Sequence, residues 1–151
     1  VEAVCSLLSC GGALLPEATR HKLDAAVLEL RRAYGQYVSA EAPILAGFSK
    51  GAYQAAWLAS RYPERFPRLM LTEGGHSSMK RRAVKRFARG GRAVAYGCGT
   101  KSCAKASARR CKALEKAGIS CIVRTDLRVG HAYNPPFPGI GRKLFGWLLE
   151  R

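Results

Sequence analysis

Carboxylates are scarce in this chain. Only 10 of its 151 residues are Asp or Glu, against 26 Lys and Arg, which leaves a formal net charge of +16. A field of that sign draws polyanions, acidic membranes or anionic substrates, and it bears on partners rather than on architecture. Long apolar runs are missing as well. Nothing approaches the ~18–20 consecutive residues of a membrane-spanning helix. The start, Val1-Glu2-Ala3-Val4, has neither a basic n-region nor an initiator Met. No secretory signal is read there, and the chain is expected to be a mature, processed or truncated form. Repeats, low-complexity tracts and a dividing linker are also lacking. Residues 1–151 are therefore read as one domain, long enough for a real core.

A C-x2-C pair is absent too, and no His stands close to the cysteine pairs that are present, so a zinc site is not expected. The six cysteines are Cys5, Cys10, Cys98, Cys103, Cys111 and Cys121. An even count leaves a disulfide framework open, whose connectivity the sequence does not determine. Cys98–Cys103, across a short loop, is the candidate bridge. It would suit a secreted or periplasmic protein, whereas buried reduced thiols would suit a cytosolic one.

What is present alternates. Short apolar runs over 3–8, 43–48, 69–71, 93–96 and 119–125 read as strands. Helices are predicted over 19–34, from the end of the second run to about 61, and over 79–88, 103–117 and 140–150. Ser77 or Ser78 is the expected cap of the third helix. In the first helix, Leu23, Val27, Leu30 and Tyr34 share one face. Five β-α units of this kind make a mostly parallel α/β sheet of about five strands, with helices on both faces in three layers. Ligands of such sheets sit beyond the C-terminal strand ends. Ser49, Glu73, the Cys98 loop and His131 all fall there.

One stretch carries chemistry. Ala46-Gly47-Phe48-Ser49-Lys50-Gly51-Ala52 lies between a strand and an Ala-rich helix, which is the setting of a G-x-S-x-G nucleophile elbow. A Ser in so tight a turn is pushed above the sheet. Gly47 and Gly51 are expected to keep Cβ atoms out of the close crossing. The backbone N–H of Lys50, at a helix N-terminus, faces an incipient oxyanion. The alternative is an ordinary turn in which Ser49 caps the helix. A serine nucleophile needs a base within hydrogen-bond reach. His131, in Val129-Gly130-His131-Ala132-Tyr133 after the last strand, is the candidate. His21 falls in the first helix and His76 in the loop after the third strand.

Elbow, strand order and terminal Gly-His loop together resemble the α/β-hydrolase superfamily, most closely its esterase- and depolymerase-like members with a Gly-Phe-Ser-x-Gly elbow. That resemblance implies that Ser49 is the nucleophile and His131 the base. It implies no metal and no organic cofactor. By the same likeness the first strand matches the family's fourth, so the N-terminal strands are missing, and Gly11 and Gly12 either supply the second oxyanion N–H or form a plain loop pair. The family's usual acid position, the loop Gly97–Cys103, holds no carboxylate. Glu73 is the preferred acid and Asp126 the alternative.

The resemblance implies a serine hydrolase acting on a carboxylic ester, or an amide, of a small molecule. The alternative is a weakened or inactive hydrolase-fold protein serving as a cationic binding module. For the latter, Lys80, Arg81, Arg82, Lys85, Arg86, Arg89 and Arg92 offer a non-specific polyanion contact. They also read as a solvated helix face. Phe87 alone is aromatic among them and is expected to face the core. Oligomeric state is not legible.

Overall fold

The computed structural model describes residues 16–38, 42–132 and 137–151. Its element order is α1 (Pro16–Tyr34), a short 3-10 turn (Gly35–Tyr37), β1 (Ile44–Phe48), α2 (Lys50–Arg61), β2 (Arg68–Thr72), α3 (Arg81–Phe87), β3 (Ala93–Cys98), α4 (Lys101–Glu115), β4 (Ser120–Thr125) and α5 (Phe137–Leu149). The four strands form one parallel sheet in the order β1-β2-β3-β4. The protein is thus of the α/β class. The strand expected over 3–8 lies outside the described residues, as do Cys5, Cys10, Gly11 and Gly12.

Burial explains why these segments read as continuous apolar runs. Every residue of β3 is buried, because helices cover both faces of the sheet. One layer packs Leu23 of α1, the Ala-rich face of α2, Val84 and Phe87 of α3 and Leu114 of α4 against Leu45, Leu69, Leu71, Val94 and Tyr96. The other face is closed by α5, whose Ile140, Leu144 and Leu148 meet Ala93 and Ala95, with Trp147 half-buried alongside. Small side chains on α2 (Ala52, Ala55, Ala56, Ala59) let that helix sit close to the strands. The far end of α1 does not share the core: Tyr34 is 51% exposed.

The start of α3 differs from the expected one. Its N-cap is Lys80, and no side chain caps it. Met79 is fully buried and Ser78 N–H closes a turn onto Gly75 O, so neither serine is free to begin a helix there.

Two disulfides brace the C-terminal half. Cys98–Cys103 ties the end of β3 to the first turn of α4, and Cys111–Cys121 ties the middle of α4 to β4. Closing loops of this size contributes about 2–3 kcal/mol each in the chain-entropy description. Full reduction is expected to lower the Tm by about 10 °C or more. Calorimetry with and without a strong reductant checks this, and an unchanged Tm would contradict it.

Candidate active site

The parallel register brings four chain ends to one edge. Ser49 N–H donates to Thr72 O (2.8 Å), Glu73 N–H to Gly97 O (2.9 Å) and Asp126 N–H to Cys98 O (3.0 Å), so the ladder continues just past the strands. Thr72 Oγ1 donates to Gly47 O (2.9 Å) and pins β2 to the elbow strand.

Ser49 sits at φ 49°, ψ −117°, a conformation that side chains other than glycine rarely adopt. Such strain costs of order 1–3 kcal/mol and is held by surrounding structure. The turn is tight because Gly47 passes under α2: a Cβ on Gly47 would lie 2.5 Å from Gly51 O. At Gly51 a Cβ would meet nothing within 4 Å, so the crossing requires glycine at 47 and not at 51. Gly47→Ala is expected to destabilise the fold by about 2 kcal/mol or more by overpacking. Gly51→Ala, in the first turn of a helix, is expected to be neutral or slightly stabilising. Urea unfolding of the two variants checks the contrast, and equal losses would contradict it.

Ser49 stands at the N-cap position of α2, but its side chain makes no capping hydrogen bond. Its Oγ lies 2.9 Å from His131 Nε2 instead. His131 Nδ1 lies 3.1 Å from Glu73 Oε2. A carboxylate only accepts, so Nδ1 carries the hydrogen and the Nε2 lone pair faces the Ser49 hydroxyl. The His131 side chain is 55% exposed and that of Glu73 only 2%. The imidazole thus borders solvent while its carboxylate partner is enclosed. The Phe48 ring packs 5.4 Å from the imidazole and supports it from the strand side.

Glu73 is also at positive φ (51°) and is held by donors from the loop after β3. Gly99 N–H and Thr100 N–H (3.1 Å) donate to Oε1, and Thr100 Oγ1 donates to Oε2 (3.1 Å). Three donors plus an imidazole satisfy the hydrogen-bonding needs of this buried carboxylate. The loop that lacks a carboxylate therefore holds one supplied from the end of β2. It also lies against the turn before His131. A Cβ on Gly99 would collide with Gly130 O, immediately before His131. Nothing in the sequence of this loop marks it as a carboxylate clamp. The one available signal is Thr100, whose side chain accepts from Cys103 N–H as the N-cap of α4.

Asp126 is occupied elsewhere. It accepts from Arg128 at 2.8 and 2.5 Å, and this hydrogen-bonded guanidinium holds its carboxyl down to about 2. Asp126→Asn is expected to change ester turnover by less than about threefold, since surface ion pairs contribute little. Steady-state kinetics of that variant decides the matter; a loss of orders of magnitude would make Asp126 the acid.

The N–H of Lys50, first residue of α2, makes no hydrogen bond to another described residue and opens beside Ser49. Among the described residues, Glu73, Cys98 and Cys103 are the one cluster with metal-ligand spacing. Its two sulfurs are joined in a disulfide and have no thiolate to offer. His21 lies on exposed α1 beside Arg20. His76 sits 6.2 Å from Tyr53, and burial with the Arg110 charge keeps its pKa below the usual imidazole range. A cleft of about 360 Å³, lined by Ser60, Tyr62, Pro63 and Arg89 among others, lies at the opposite end of α2 from Ser49.

No model of a known protein family, no curated protein and no solved structure matches this chain. What the site can do follows from its own atoms. A serine hydroxyl, an imidazole held by a carboxylate, and an N–H at a helix N-terminus with no partner among the described residues are groups that acyl transfer can use.

Proposed function

We propose that this protein is a serine hydrolase of the α/β-hydrolase type, acting on carboxylic esters. The observation that carries this reading is the unbroken chain Ser49 Oγ, His131 Nε2, His131 Nδ1, Glu73 Oε2, at 2.9 and 3.1 Å. Its members come from three separate strand ends.

Ser49 Oγ attacks the ester carbonyl as its proton passes to His131 Nε2. The imidazolium is stabilised by the Glu73 carboxylate, which keeps its own charge. The developing oxyanion faces the Lys50 N–H and the positive end of α2. Collapse of the tetrahedral species breaks the C–O bond, and the alcohol leaves with the proton from His131. Water then attacks the Ser49 acyl ester with His131 again as base, and the acid and free serine result. The His131 imidazole is more than half exposed, so the ester is expected to approach it from solvent.

An oxidising, extracellular compartment goes with this reading, because the two disulfides are compatible with one. No helix among the described residues is long and apolar enough to cross a membrane. The test is turnover of an aryl acetate, with an acid quench and mass spectrometry of the peptide containing Ser49. Acetyl on Ser49 during turnover is expected. Hydrolysis that is undiminished in Ser49→Ala, or no hydrolysis at all, would overturn the reading.

A further inference from the structure

Between Glu73 and Glu115 the chain has no acidic residue, while seven Lys and Arg fall in 80–92 and five in 101–112. The fold turns this run into a surface. Cys103, Ser107, Cys111 and Leu114 bury one side of α4. Lys101, Lys105, Arg109, Lys112 and Lys116 are all exposed. At 3.6 residues per turn these five fall within about 80° of one another, in a stripe about 22 Å long. The adjacent helix α3 presents Arg81 and Lys85 in the same way, and Arg89 stands just past its end; all three are exposed. None of these eight cations has a carboxylate partner among the described residues. Unpaired like charges so close together repel one another, and a polyanion laid along them relieves that repulsion.

The stripe also has a direction. Lys101 follows Thr100, which holds Glu73, so one end of the stripe stands at the catalytic edge and the other at the far end of the sheet.

We propose that the α3/α4 face docks an acidic polysaccharide, and that acyl esters carried on such a polymer are the substrate class of the Ser49 site. The second half rests on the hydrolase reading; the first does not. The absence of other features on this face selects the partner. Phe87 is fully buried, and the exposed aromatics Tyr34, Tyr37, Tyr53 and Trp57 belong to other elements, so no platform is offered for stacking bases. Alanines, not large apolar side chains, lie between the α4 cations, so the face has nothing to insert into a bilayer. The disulfides are compatible with a compartment where acidic glycans, rather than nucleic acids, are the abundant polyanions.

The test uses partly O-acetylated polygalacturonate, whose carboxylates dock and whose acetyl groups react. Binding is measured by titration at about 50 and 200 mM salt, for wild type, for Ser49→Ala, for the triple variant Lys105→Gln, Arg109→Gln, Lys112→Gln, and for a control with equal charge loss, Lys22→Gln, Arg142→Gln, Lys143→Gln. Wild type and Ser49→Ala are expected to bind alike and to lose about tenfold or more in affinity at the higher salt. The stripe variant is expected to lose about tenfold at low salt, and the control less than about threefold. The stripe variant should also show a raised KM on the acetylated polymer with unchanged turnover of aryl acetate. Equal losses in stripe variant and control, no binding by wild type, or tighter binding of duplex DNA at matched charge concentration would overturn the docking proposal. Binding that follows the stripe, in a wild type that hydrolyses neither ester, would overturn the hydrolase reading and leave the docking face standing. Hydrolysis of aryl acetate, with the stripe variant equal to wild type on the polymer, would do the reverse.

Discussion

Ser49→Ala is expected to lower kcat for an aryl ester by about 10⁵–10⁶-fold, the scale on which a catalytic serine fails when its base has nothing to deprotonate. The remaining rate reflects whatever the Lys50 N–H and the site's field do for a water attack. Stability should fall little, because the hydroxyl bonds only a half-exposed imidazole. Removing it leaves no buried group unpaired. Relief of polarity does not relieve the backbone, since alanine at φ 49° is as strained as serine. Circular dichroism alongside kinetics separates the two effects. A variant that is folded and retains more than about a hundredth of wild-type turnover would show that another group supplies the nucleophile.

Glu73→Gln is the second large effect, at about 10⁴-fold in kcat. The side chains are isosteric, so the clamp is kept in part: the amide oxygen can still accept from Gly99 N–H and Thr100 N–H. The amide nitrogen then takes the place of Oε2 and faces both His131 Nδ1 and Thr100 Oγ1, which must turn its hydrogen away. A donor opposite Nδ1 forces the hydrogen onto Nε2, where it blocks proton transfer from Ser49. The neutral amide also fails to stabilise the imidazolium. Thr100→Val is a milder probe of the same point, because it removes one of three donors to the carboxylate and leaves the charge in place. Steady-state kinetics of Glu73→Gln at neutral pH checks the prediction, and a loss below about tenfold would place the orienting group elsewhere.

How much of this was legible in the sequence depended on how local each feature is. The strand read over 93–96, which the structure extends to Cys98, stands out because both faces are buried and its run is apolar. Ser49 and His131 were legible because each sits in a short segment whose meaning comes from its neighbours: a strand-turn-helix for one, a Gly-His loop after the last strand for the other. Glu73 was readable only as a carboxylate at a strand end, and Asp126 met the same description. What separates them is pairing across the sheet, where Arg128 takes Asp126 and His131 meets Glu73. The clamp was barely legible. Beyond the Thr100 hydroxyl, Gly99 and Thr100 act through backbone N–H groups on a residue 26 and 27 positions earlier, and a backbone donor leaves no mark in side-chain identity. Cys111–Cys121 was hidden for a similar reason, since six cysteines admit many pairings until α4 is laid on β4. The third helix was misread at its start because Ser77 and Ser78 look like caps. A turn closed by Ser78 N–H and the burial of Met79 claim that segment first. Charge was legible in amount but not in layout: the stripe on α4 exists only once the cysteines and Leu114 fix which side of the helix faces the sheet.

The central claim is that the Ser49 hydroxyl is activated by His131 and Glu73. Labelling with a fluorophosphonate probe tests it most directly, because such probes react with an activated serine and not with an ordinary one. The account predicts stoichiometric labelling of the wild type, mapped to the peptide containing Ser49, with none in Ser49→Ala and labelling slowed by orders of magnitude in His131→Ala and Glu73→Gln. A folded wild-type protein that stays unlabelled, or labelling that survives Ser49→Ala, would contradict it.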